Sequence, residues 1–186
     1  MNHKGTKTIE TKHLLLRKFK INDAKDMFKN WAGNRSDTAF VTWEKHQSVS
    51  DSKDLLEKWD KRKDRSKTYR WCIEEKASGA AIGEIVVTEI HKDTQAADLA
   101  FCMGKAYKNK GLAKEALETI VHFLFKEVQM KRLSFDQDSR NTADRELATA
   151  LNFEYEGLQK AALANNSGIS DKALYGAIRQ NGSQSK

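Results

Sequence analysis

Proline is entirely absent from this 186-residue sequence, so no turn or strand edge is set by a fixed φ and every reversal must rely on Gly, Asn, Asp and Ser. Cysteine is nearly absent too. Cys72 and Cys102 are the only two, each inside a predicted strand and neither in a metal-ligand spacing, which argues for free buried thiols and against a disulfide scaffold. No metal is expected. No apolar run reaches membrane-spanning length, and the residues after Met1 show no signal-peptide pattern, so a cytoplasmic protein without a membrane partner is expected. Neither charge sign is confined to a block: 33 Lys and Arg face 26 Asp and Glu, a formal net charge of +7, interleaved along the chain. That balance favours a polyanionic partner. No basic cluster is interleaved with aromatics, however, so a nucleic acid is not expected. The length suits one domain over 1–186, with a core at about 8–179 and tails at 1–4 and 181–186 that composition reads as flexible.

What is present is an alternation of short strands and helices. Leu14-Leu15-Leu16-Arg17, within 8–19, reads as a strand, with Asn22 as the N-cap of a helix carrying Ala24, Met27, Phe28 and Trp31. Ser50 and Asp51 are expected to open a second helix with Leu55, Leu56 and Trp59 on one stripe and Arg62 on a solvated face. Strands are predicted over 69–75, 81–90 and 97–103, and their short polar connections imply an antiparallel meander. The strongest helix carries Leu112, Ala113, Ala116, Leu117, Ile120, Val121, Leu124 and Val128 on one broad face. Beyond it, 131–136 reads as strand, 142–151 as helix, and 153–159 and 172–178 as strands. Trp31, Trp59 and Trp71 are expected in the core.

In front of that helix stands a basic loop with one glycine, Ala106-Tyr107-Lys108-Asn109-Lys110-Gly111. A helix start leaves backbone N–H groups without intrahelical partners and carries partial positive charge. Gly111 admits a ligand close to the backbone, and Lys108 and Lys110 add charge, so the junction is a candidate pyrophosphate site.

The chain resembles the GNAT acyltransferases, which use acetyl-CoA to acetylate amines, and within them the ribosomal-protein N-acetyltransferase-like (RimJ/RimL-type) branch, over roughly residues 8–179. The family signature Gln/Arg-x-x-Gly-x-Gly/Ala appears as Lys108-Asn109-Lys110-Gly111-Leu112-Ala113, with Lys at the first position. Asn-x-x-Ser appears as Asn141-Thr142-Ala143-Asp144, and Leu-Gly-Phe as Leu151-Asn152-Phe153. A closing hairpin is matched by Asn165-Asn166-Ser167-Gly168 leading to Leu174-Tyr175. The implied fold is α/β (α+β), a mixed, mostly antiparallel sheet flanked by helices. The implied activity is acetyl transfer to a primary amine, on a protein N-terminus or a small molecule, by direct attack in a ternary complex. The competing reading is a non-catalytic acyl-CoA sensor or basic binding module. Homodimerisation is left open, as is the identity of the acceptor.

The resemblance also implies roles. Acetyl-CoA would lie against Lys108, Asn109, Lys110, Gly111, Leu112 and Ala113, with the main chain of Phe101, Cys102 and Met103 along its pantetheine arm and Asn141 beside it. A base must take the ammonium proton. Glu84 interrupts an apolar strand, where an unpaired carboxylate is costly and burial raises its pKa; the alternative is a solvated face or a pair with a nearby Lys. Glu89 and Asp98 are weaker alternatives. Asp144 replaces a Ser that in the resembling branch can protonate the thiolate or bind CoA. It is a second catalytic candidate, although an acid at the third helical position also complements the dipole, and that structural role is preferred. Trp43 and Tyr175 are candidates for lining the acceptor pocket.

Overall fold

The computed structural model describes residues 1–61, 68–108 and 110–180. Arg62, Asn109 and the tail at 181–186 lie outside them. Its strands are β1 (Ile9–Glu10), β2 (Leu14–Arg17), β3 (Arg70–Glu75), β4 (Ala80–His91), β5 (Ala96–Met103), β6 (Arg132–Ser134), β7 (Gln137–Asp138), β8 (Glu154–Asn165) and β9 (Gly168–Ile178). They form one sheet in the order β1-β2-β3-β4-β5-β6-β9-β7, with β8 on β9. Every pairing is antiparallel except β5 with β6. The helices are α1 (Ala24–Met27), α2 (Val49–Asp60), α3 (Lys105–Lys108), α4 (Leu112–Lys126) and α5 (Thr142–Ala150). A 3-10 turn, Ile21–Asp23, leads into α1 and a π turn, Phe28–Ala32, leaves it.

Strand alternation divides the sheet into two faces. Trp71, Ile73, Ile85, Leu99, Met103 and Leu133 turn to one side, where they share a core with Leu117, Ile120 and Leu124 of α4. Full burial of each such side chain contributes about 1.5–3 kcal/mol, so the apolar stripe of α4 is what holds it on the sheet. Cys72 and Cys102 turn to the other face, in a smaller cluster with Met27, Trp31 and Leu56. Both thiols are free, buried and pushed above their ordinary pKa by desolvation.

The helix starts are set by side chains other than those expected. Ser48 caps α2, accepting from the Asp51 N–H while Asp51 accepts from the Ser48 N–H, so the cap lies two residues before Ser50. Asn22 does not cap; it lies inside the 3-10 turn, where Asp23 accepts from the Lys20 N–H at 2.7 Å. The strand expected over 131–136 is broken into β6 and β7, whereas the final two strands are longer than their apolar cores and meet at a tight turn. Residues 1–4 are not loose. The Asn2 N–H donates to Val128 O at 2.7 Å and the Lys4 N–H to the Tyr69 hydroxyl at 3.0 Å, tying the chain start to the sheet and the end of α4.

One irregularity positions everything that follows. β5 pairs with β6 only over Ala96, Ala97 and Asp98, so among the described residues Leu99 to Met103 have no partner strand on that side. The sheet is splayed there. Instead of following β5, the chain after β6 turns aside to pair with β9, with the Phe135 N–H on Tyr175 O at 2.9 Å.

Candidate active site

The splay exposes main-chain groups in a defined pattern. The Gly104 N–H donates to Ile82 O at 3.1 Å across β4, and antiparallel alternation makes Cys102 with Glu84 the next hydrogen-bonded pair. The N–H and C=O of Phe101 and Met103 therefore face the opening. Those of Cys102 are spent on β4, which removes its backbone from the expected contacts with an arm in the splay.

Two adjoining cavities meet at this point, of about 380 Å³ and 370 Å³, sharing Phe40, Val41, Phe101, Cys102, Asn141 and Asp144 as walls. Their charges differ. The smaller adds Lys105, Lys108 and Arg140 against Asp37, whereas the larger adds Glu84, Asp136 and Asp138 against Arg70 among the described residues. A phosphorylated ligand is favoured at the first end and an ammonium group at the second.

The start of α4 lies just beyond the basic end. Gly111 adopts a left-handed φ of 74° at the N-cap, with no side chain capping the helix. The first bond within the helix is the Glu115 N–H to Gly111 O at 3.1 Å, which leaves the amides of Leu112, Ala113 and Lys114 without intrahelical partners. A Cβ at Gly111 would meet no atom within 4 Å, so the ground in front of these donors is open. This donor set suits a pyrophosphate. Lys108 and Lys110 stand 3.9 Å from Asp144 and Glu75, loosely held. Lys108 belongs to the short α3 turn; the neighbouring Asn109 lies outside the described residues.

Glu84 is 5% exposed and ion-paired with Arg70, so it is neither solvated nor, as the alternative reading expected, paired with a Lys. It nevertheless lines the acidic cavity. Burial raises its pKa above the ordinary range, and the Arg70 guanidinium pulls it part of the way back. Asp144 is also raised by burial, opposed by Lys108 and by the Asn141 amide, which donates to it at 2.8 Å. Asn141 caps α5 as expected, accepting from the Asp144 N–H at 3.3 Å.

The remaining candidates separate. Trp43 lines the acidic cavity. Tyr175 does not: it is 5% exposed on the α4 side of the sheet, stacked near Tyr155 with ring centroids 5.5 Å apart, and strand alternation turns it away from both cavities. Glu89 and Asp98 lie beside His91 and line neither cavity. Trp59, expected in the core, packs half-buried against the Met27, Trp31 and Leu56 cluster and is also a cavity wall, with the Arg70 guanidinium 3.9 Å above its ring.

Several roles went unforeseen in the sequence. Asp138 has a fully buried carboxylate that accepts from Arg140, Asn165 and Ser170, and although burial alone would raise its pKa these donors hold it well below the carboxylate range. Asn166, in the turn between β8 and β9, donates from one amide to Thr38 O at 2.9 Å and Trp43 O at 3.0 Å, while Ser167 bonds to Ala39 O. The hairpin thereby clasps the segment that carries Phe40, Val41 and Trp43. Only the charged pair in Asp136-Gln137-Asp138 ahead of Asn141 offered a signal; the clasp is a contact over more than 120 positions and left none.

Residues 13–154 match the family profile described as "Acetyltransferase (GNAT) domain". The chain belongs to the GNAT acetyltransferase family. Among curated relatives, this GNAT protein is 24% identical over 151 residues to an uncharacterized N-acetyltransferase, p20, of Bacillus licheniformis, covering 81% of this chain and 84% of that one. Among solved structures, the ribosomal-protein-S5-alanine acetyltransferase of Vibrio fischeri superposes with a TM-score of 0.82 at 20% identity, over 94% of this chain and 98% of that one. RimL, the ribosomal L7/L12 α-N-protein acetyltransferase solved with coenzyme A, gives 0.80 at 16% identity over 92% and 98%. The GNAT fold is thus a mixed, mostly antiparallel sheet flanked by helices, as the resemblance implied, and the activity class is N-acetyltransferase. No helix among the described residues is long and apolar enough to cross a membrane.

Proposed function

We propose that this GNAT acetyltransferase transfers the acetyl group of acetyl-CoA to a primary amine, of a peptide N-terminus or a small molecule, by direct attack while both substrates are bound. The observation that carries this reading is the splay of β5 from β6, which runs from the open donors of α4 to a buried carboxylate, Glu84, in an acid-lined cavity.

Acetyl-CoA supplies an acyl group already activated as a thioester. The amides of Leu112, Ala113 and Lys114 bind its pyrophosphate, with Lys108 and Lys110 adding charge. The backbone of Phe101 and Met103 pairs with the arm and orients the carbonyl, and Asn141 supports it from α5. Trp43 and Phe40 enclose the acceptor and exclude water. Glu84 takes the ammonium proton, so that the nitrogen lone pair forms the new C–N bond as the C–S bond breaks. The nitrogen releases its second N–H proton to solvent, leaving the neutral amide, and the sulfur leaves with its electron pair and takes a proton. Asp144, in the neutral form that burial favours, is assigned to supply it, while its ionised form holds Lys108.

Isothermal titration with acetyl-CoA followed by an acetyl-CoA-dependent screen of amines tests the reading. Micromolar binding and transfer to at least one acceptor are expected. Absence of binding refutes the cradle, and binding without turnover on any amine would favour an acyl-CoA sensor.

A further inference from the structure

Arg70 is underused where it stands. Its side chain is 22% exposed, stacked on Trp59, and of its guanidinium donors only Nη1 has an acceptor among the described residues, the Glu84 carboxylate. A planar guanidinium offers five N–H groups in a fixed fork, and at Arg70 those not on Glu84 are open to solvent or to a ligand in the cavities it lines. Arg70 also lines two cavities at once. On one side is the acid-lined acceptor cavity with Glu84; on the other is a separate cavity of about 310 Å³.

That second cavity has the opposite charge character. Its floor is apolar, from Phe19, Ile21, Leu56 and Trp59, and among the described residues its charged lining is Lys18, Lys20 and Arg70 with Asp60 as the only acid. Neither Lys18 nor Lys20 holds an ion pair among the described residues. The Arg70 and Trp59 stack is the partition between them. An amine beside Glu84 therefore has a forked cation next to it, with two lysines in the cavity on the far side of that cation, able to take a carboxylate.

We propose that Arg70, backed by Lys18 and Lys20, is the specificity-determining anion receptor of the acceptor site, and that the acceptor bears a carboxylate on the same residue as its amine. This rests on the proposed acetyltransfer at Glu84. Two sources share that chemistry: the α-carboxylate of a free amino acid, and the side chain of an acidic N-terminal residue of a peptide. Bidentate pairing of a carboxylate with Arg is geometrically selective in a way that Lys cannot reproduce. An anion seated on the fork also draws Arg70 away from Glu84, which strengthens Glu84 as a base only when the correct acceptor is present.

The test compares isosteric pairs: alanine against alaninamide for the first source, and Asp-Ala amide against Asn-Ala amide, with the Glu and Gln pair, for the second. Each is followed by titration calorimetry and by turnover with acetyl-CoA. The acidic member of at least one pair is expected to win by about tenfold or more in kcat/KM and in binding, a factor worth about 1.4 kcal/mol. Arg70→Lys keeps a cation beside Glu84 yet removes the fork, and should reduce the preference to near unity. Lys18→Gln with Lys20→Gln, on exposed side chains, should weaken it several-fold without lowering the melting temperature. Equal use of both members of every pair, or a preference that survives Arg70→Lys, overturns the proposal. Acetylation without acid preference would leave the acetyltransfer reading standing; selective acid binding through Arg70 without acetylation would do the reverse.

Discussion

Glu84→Gln is the perturbation on which the catalytic reading turns. Gln fills the same volume and still accepts from Arg70, so the cavity keeps its shape while the charge is lost. Removing one partner of a buried pair outright costs about 3–5 kcal/mol. Here a retained neutral hydrogen bond returns about 1 kcal/mol, and Arg70 is 22% exposed, which lets solvent screen part of the remainder. A net loss of about 2 kcal/mol follows, and for a chain of this size it lowers the melting temperature by about 4–8 °C. Catalysis should suffer far more: loss of a positioned base costs about 10²–10⁴ in kcat. Acetyl-CoA affinity should hold, because Phe101, Met103 and the start of α4 are untouched.

The pH dependence provides the sharper check. Burial raises the pKa of Glu84 above its ordinary value, and the base acts only when ionised, so the wild-type rate should rise with pH through that raised value. Stability runs the other way: the contribution of the protonated, buried carboxyl is present below the ordinary value of 4.5 and is lost as pH rises through the folded one. Both trends should vanish in Glu84→Gln. Steady-state rates from pH 5 to 9, with melting curves on the same samples, separate the two. A variant that stays folded and keeps kcat within about threefold of wild type, or retains the rising limb, would remove Glu84 as the base.

Three further changes probe the rest of the site. Asn166→Ala breaks the two amide bonds that clasp the segment bearing Trp43; it should raise the acceptor KM several-fold, leave the acetyl-CoA KM in place, and cost about 1–2 kcal/mol in urea unfolding. Gly111→Ala meets no protein atom but forces a Cβ onto a left-handed residue, so it should cost about 1–2 kcal/mol of stability and weaken coenzyme A binding more than that, as read by calorimetry. Asp138→Asn leaves Arg140 exposed but orphans a buried cluster, for about 2–3 kcal/mol. Because bonding depresses the Asp138 pKa, its contribution is present above the ordinary 3.8 and lost as pH falls toward the folded value; acid melts of the variant should lose that part of the acid-side slope.

Legibility in the sequence followed the range of the interactions. The α4 stripe, the β3–β5 meander and the Asn141 cap depend on spacing within one element or turn, and each was expected where it is found. Asn152, read as a substitute for Gly at a helix end, does adopt a left-handed φ of 59°. The errors arose where two nearby residues offered the same local chemistry, as with Ser48 and Ser50 ahead of α2, or where composition stood in for contacts, as at residues 1–4. Arg70, Trp59 and Asn166 carried ordinary local signals for strand, stripe and turn, so nothing in their neighbourhoods distinguished them.

The amino-acid order by itself determined the elements, the family and the open glycine-led start of α4, because these are properties of contiguous residues: periodicity, capping and a missing Cβ. Tertiary structure alone decided which main-chain groups face the splay, that Tyr175 is turned away from the cavities while Trp43 lines one, and that Glu84 is bound to Arg70, which stands between two cavities of opposite charge. Those outcomes depend on strand register and on contacts between distant segments, and a shift of one residue in register reverses every side chain and every backbone group along a strand.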